Sequence, residues 1–146
     1  MPLPDLNESG DLPPGVHQST MEEVIARFGS DLGKRGLCTR RLLHIFALAR
    51  QTHHLQRFIL FGSFITVKPD PNDVDLVLVM DDAFRLEDCP VEAQGLFDHA
   101  IAHARYGASI FWVRPSLLLS ESIEDFVAYW QIKRDGSKRG IVEVIL

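Results

Sequence analysis

The run from Val74 to Met80, VDLVLVM, restricts the fold more than any other stretch of this 146-residue chain. Every residue after Asp75 is apolar, so a strand here has to be central in its sheet and covered on both faces. Yet the second residue of the run is an acid, Asp75, and Asp73 stands two residues before that one. Residues i and i+2 of a strand point to the same face, so the two carboxylates project together from its start. A core strand gains nothing from them. Carboxylates that close repel and raise one another's pKa unless a cation sits between them. Hard divalent cations such as Mg²⁺ take such oxygen ligands and bind phosphates as well. The plainer alternative is that Asn72 and Asp73 make a turn while Asp75 caps a neighbouring amide.

Around this strand the pattern alternates. Residues 57–61 predict a short strand before Gly62, residues 108–113 (ASIFWV) a third, and the terminal IVEVIL a fourth. Helices are expected over 21–29, with Thr20 and Glu23 as a capping box and Gly29 as a left-handed terminator, and over 39–52, with Leu42, Leu43, Phe46 and Ala49 on one face. A third runs from Pro90 to Tyr106 and closes at Gly107, and a fourth starts from Ser122 and Asp125 and continues to Lys133. The class is α/β (α+β): a small mixed sheet of about four strands flanked by helices. Residues 1–17 hold four of the eight prolines. They read as an extended arm, flexible or draped over the surface, ahead of a single domain over 18–146.

Apolar residues make up 46% of the chain, which suits a packed core. The net charge of −5 argues against broad coating of nucleic acid, though not against a nucleotide or an RNA end held by a local basic patch. Cys38 and Cys89 stand in no metal-binding spacing and read as reduced thiols, with a disulfide between them as the alternative. The N-terminus lacks the basic and apolar regions of a signal peptide, and no apolar run is long enough to span a bilayer, so a cytoplasmic protein is expected.

Phe-Gly-Ser occurs twice. At 28–30 it ends a helical pattern. At 61–63 it ends a strand, where glycine permits close backbone approach to a ligand and serine offers a hydroxyl and an amide to phosphate oxygens. Nine residues separate Ser63 from Asp73. Arg57 and Lys68 flank this loop and suit either triphosphate or solvent. KRDGSKR, residues 133–139, is the densest basic cluster, fit for a phosphate or RNA end, or for a charged turn. His99 and His103 have the i, i+4 spacing of some zinc sites, but no third ligand is apparent. Asp98 and Glu92 read as solvated helix residues, and Trp112 and Trp130 as core aromatics.

LFGSFITVKPDPNDVDLVLV resembles the nucleotidyltransferase core shared with DNA polymerase β: Gly-Ser, a loop, then Asp-x-Asp on the next strand. The short layout is similar to minimal members, including those of bacterial toxin–antitoxin pairs. The chain ends, LPPGVH with EEVIARFG and WQIKRDGSKRGIVEV, resemble a bacterial nucleotidyltransferase-like family that brings no established activity. The resemblance implies that Gly62 and Ser63 hold a nucleoside triphosphate, for which the flanking Lys68 is a further candidate contact, and that Asp73 and Asp75 ligate Mg²⁺ or Mn²⁺. It further implies transfer of a nucleoside monophosphate to a protein or RNA hydroxyl, with an antitoxin or a second copy as partner. In that superfamily a third carboxylate begins a later strand. Here the matching residue is Ser109, which cannot bridge a metal as a carboxylate does and is a poor base. Glu143, a lone acid in the terminal strand, is the candidate substitute if that strand lies beside the Asp-x-Asp strand. Otherwise it faces outward from an edge. Loss of the third acid also raises the alternative of a catalytically degenerate binding module.

Overall fold

The computed structural model describes residues 2–146. Ten elements follow in order: β1 (Val16–Ser19), α1 (Met21–Phe28), α2 (Gly33–Gln51), β2 (Leu55–Phe61), β3 (Val74–Met80), α3 (Val91–Gln94), α4 (His99–Tyr106), β4 (Ala108–Val113), α5 (Ile123–Tyr129) and β5 (Ile141–Val144). The strands form one mixed sheet in the order β1-β5-β2-β3-β4. β2 runs antiparallel to both β3 and β5, while β1–β5 and β3–β4 are parallel. The α/β class stands, with five strands rather than four.

β3 is central and covered on both faces. Leu76, Val77, Leu78, Val79 and Met80 are all fully buried. Leu76 and Leu78, with Phe58, Leu60, Ile110 and Val142, share a core with Leu42 and Ile45 of α2 and Ala102 and Tyr106 of α4. On the other face Ile59, Val77 and Ile141 pack under Val127 of α5, with Phe61 and Trp130 at the margin. Each fully buried aliphatic side chain contributes roughly 1.5–3 kcal/mol of transfer free energy, so the sheet is the rigid floor of whatever stands at its ends.

Several local expectations need correction. Thr20 caps α1 through the Glu23 amide at 3.2 Å, but the Glu23 carboxylate goes to the Leu3 amide instead of closing the box. Gly29 is extended, not left-handed; a side chain there would collide with the Ile25 carbonyl, and crowding is its reason. On α2, Leu43 faces solvent and Ile45 takes its place in the core. The helix expected over 90–106 breaks at residues 95–98, where Asp98 caps α4 through the Ile101 amide at 3.0 Å. α5 ends at Tyr129, short of Lys133. The arm is not loose: Leu3 and Leu12 are buried, and β1 crosses the expected division at residue 17 to pair with β5. Both cysteines are buried and free. No helix among the described residues is long and apolar enough to cross a membrane.

Candidate functional site

One end of β2, β3 and β4 carries the site. Register pairs Phe61 with Asp75 and Asp75 with Ser109, so these three side chains form one cross-strand row on a single face. A cleft of about 820 Å³ opens over this row. Gly62, Ser63, Lys68, Asp75 and Ser109 line it on the sheet side, and Lys133, Arg134 and Arg139 close the other. Two stretches that sequence could only treat separately, the Gly-Ser loop and the basic cluster, therefore face each other. A chain of net charge −5 presents four cationic side chains in one cleft.

Gly62 explains how the acids fit. Its φ of 81° lies where residues with a side chain are strained. A Cβ there would overlap Asp75 Oδ2 and come within 2.8 Å of Asp75 Cγ. The close approach that glycine permits is thus first of all an approach by Asp75. Burial, then the neighbouring charge of Asp73, push the Asp75 carboxyl up to about 7; Arg139 and Arg134 and the Ser109 hydroxyl oppose this only in part. Ser109 Oγ is also 3.5 Å from Asp73 Oδ2, so its hydroxyl sits between the paired acids.

The loop after Gly62 is held by a residue that sequence reading passed over. Arg35 of α2 donates to the carbonyls of Phe28 at 2.9 Å, Phe64 at 2.6 Å and Thr66 at 3.2 Å, and also to that of Lys68. Ser63 starts a single 3₁₀ turn closed by the Thr66 amide and hydroxyl on its carbonyl, at 3.2 and 2.7 Å. Phe64 and Ile65 are buried and pin the turn to the core. Ser63 and Lys68 are left free to face the cleft.

The arm fixes the opposite wall. The buried Asp11 carboxylate lies 3.2 Å from Lys133 Nζ and 3.6 Å from Arg139, and the Gly140 amide donates to the Leu12 carbonyl at 2.8 Å. The Val67 amide donates to the Gly10 carbonyl at 2.9 Å, so the same arm touches both walls. Removing one partner of a buried ion pair costs several kcal/mol, less where the cations are partly exposed as here. Asp11→Asn is expected to lower stability by about 1–3 kcal/mol, read in urea unfolding. An unchanged midpoint would show that the arm only rests on the basic loop.

Glu143 does not join the site. β5 lies beside β2, not β3, and Glu143 pairs across to Ile59. Arg57 claims its carboxylate through two bonds, 3.0 and 2.7 Å, and reaches Glu124 at 2.8 Å. Glu143 and Arg57 line a separate pocket of about 520 Å³ beside Leu3 and His17. Neither expectation for Glu143 holds, since β1, not β5, is the edge on that side. Arg57 likewise belongs to that ion pair and not to the Gly-Ser loop. His99 lines the cleft edge against Phe111, and no group of three or more His, Cys, Asp or Glu among the described residues is arranged to hold a metal. The paired carboxylates still fit a divalent cation. They are hard oxygen donors, and Asp75 is buried against Asp73 with incomplete compensation from the protein, a charge conflict that a cation between them relieves.

A family model described as a family of unknown function (DUF6932) matches residues 4–145. No curated protein and no solved structure matches the chain.

Proposed function

We propose that this chain, which belongs to the DUF6932 family, is a cytoplasmic nucleotidyltransferase of the DNA polymerase β type. It would move a nucleoside monophosphate from a nucleoside triphosphate to a hydroxyl on protein or RNA. The observation that carries the reading is one cleft lined by a Gly-Ser turn, Asp75 and a basic loop, with the Asp73 carboxylate 3.5 Å from the Ser109 hydroxyl of its lining. Each part has a task in phosphoryl chemistry. The Ser63 hydroxyl and amide, with Lys68, offer donors to phosphate oxygens. Arg134 and Arg139 oppose the charge of the leaving pyrophosphate from the other wall. Asp73 and Asp75 would hold Mg²⁺ or Mn²⁺, which when bound neutralises charge on the reacting phosphates. The rigid sheet end fixes these groups so that an acceptor hydroxyl can meet the α-phosphorus in line.

A second reading rests on Ser109. It occupies the position across from Asp75 where a third acid would assist the attacking hydroxyl, and the other acid considered for that role is tied to Arg57. On this reading the chain binds Mg²⁺–nucleotide without transferring it, as an interaction module. A role in a toxin–antitoxin pair is compatible with both. Calorimetric titration with each triphosphate, with Mg²⁺ and then EDTA, tests what they share. Binding is expected to need the metal and to vanish in Asp73→Asn. Transfer of label from α-³²P triphosphates to protein or RNA then separates them. A folded protein that binds no triphosphate rejects both readings.

A further inference from the structure

The cleft has a second wall that phosphate chemistry does not use. One step along the sheet from the Phe61–Asp75–Ser109 row, register aligns Ile59, Val77 and Phe111. Phe111 lies on β4, the edge strand, and is 39% exposed. Its ring centroid is 4.8 Å from that of Trp130 and 5.1 Å from that of His99. Phe61 adds a fourth ring, 4.8 Å from Trp130, and Ile132 beside them is 47% exposed. Packing of α5 on the sheet accounts for the inner faces of Phe61 and Trp130. It does not account for Phe111, His99 and Ile132, which spend apolar surface on the opening of a cationic cleft.

From this arrangement we infer that the aromatic wall is the seat of the nucleobase, so that the ligand of the cleft is a whole nucleotide and not a bare polyphosphate. The inference rests on the nucleotide-binding reading above and deepens it. Phe111 lies two strand steps beyond Ser109, about 7 Å along β4. A nucleotide has the same plan: charged phosphates at one end, a sugar as spacer, a flat ring at the other. The charged end of the cleft complements the phosphates and the aromatic end complements the ring. Stacking tolerates every base because each has a π-face. The wall therefore predicts broad acceptance of bases, with purines favoured by their larger face.

The test compares Mg²⁺ complexes of ATP, GTP, CTP, UTP and base-free tripolyphosphate by calorimetry, on the wild type, Phe111→Ala and Phe111→Tyr. Phe111 is a surface residue, and melting temperature checks that each variant folds. Every nucleotide is expected to bind more tightly than tripolyphosphate. Phe111→Ala should weaken nucleotide binding roughly tenfold and leave tripolyphosphate unchanged, while Phe111→Tyr keeps the wild-type order. Equal affinity for nucleotides and tripolyphosphate overturns the inference while leaving the phosphate site in place. Equal weakening of all ligands by Phe111→Ala overturns it too, since the ring would then only shape the cleft. Failure of both tripolyphosphate and nucleotides to bind removes the site itself, and this inference with it.

Discussion

Asp75→Asn is expected to make the protein more stable and functionally silent at once. The folded carboxyl titrates at about 7, raised from 3.8 first by burial and then by Asp73. Between those values the folded state keeps a proton that the unfolded chain has lost, so stability falls as pH rises through the window and levels off above it. At pH 8 the ionised carboxylate weakens the fold by as much as about 4 kcal/mol, since each tenfold difference in proton affinity between the folded and unfolded states is worth roughly 1.4 kcal/mol. Asparagine keeps the shape without the charge. Its melting temperature should exceed that of the wild type by several degrees at pH 8, with the gap closing toward pH 4. Mg²⁺ should stabilise the wild type at pH 8 by binding the ionised pair, and should leave the variant unmoved. Metal-dependent triphosphate binding should be lost in the same variant. Thermal melts across pH 4–8 with and without Mg²⁺ read all of this together. A variant less stable than the wild type at pH 8 would mean that Asp75 is a structural cap, the plainer of the two readings its sequence allows.

That trade of stability for a charged site is partly legible in the sequence itself. β3 and β4 fall on the expected residues because their apolar runs are bounded by turn residues and acids, signals that are local. The Thr20, Ser122 and Gly107 helix boundaries are legible for the same reason. What escapes a sequence reading depends on partners far along the chain. β1 is four residues, VHQS, with no period of its own, and it exists because β5 offers an open edge. Glu143 looks available until Arg57, 86 residues away, takes both its oxygens. Arg35 works through backbone carbonyls, which leave no trace in side-chain identity. Asp11 lies in a proline-rich arm where a lone acid reads as solvated, yet it is buried against Lys133 and Arg139 from the far end of the chain. The nearness of Gly-Ser and Asp-x-Asp is legible because one short loop joins the two strand ends that carry them, and β2 and β3 pair there. The basic loop and aromatic wall carry no such tie to them, since their meeting is a product of the sheet order.

Gly62→Ala should be among the most damaging single-methyl changes this chain can receive. Two independent penalties coincide there. The backbone sits at φ 81°, ψ −166°, a region that residues with a Cβ occupy only under strain of order 1–3 kcal/mol. The added Cβ also occupies the space of the Asp75 carboxylate, so either that side chain rotates out or β2 and β3 part at their paired ends. Both escapes dismantle the site, because Phe61 and Asp75 are direct cross-strand partners and Ser63 follows immediately. The expected result is a loss of about 3 kcal/mol or more in urea unfolding and of all measurable triphosphate binding. Asp75→Gly in the Gly62→Ala background separates the penalties. It relieves the collision and leaves the dihedral strain, so part of the stability should return while binding stays absent, and the non-additive term measures the contact itself. If Gly62→Ala instead melts and binds like the wild type, the carboxylate has a second resting place away from Gly62. The geometry assigned to the paired acids would then fall, because its tightest packing would not be holding them where they stand.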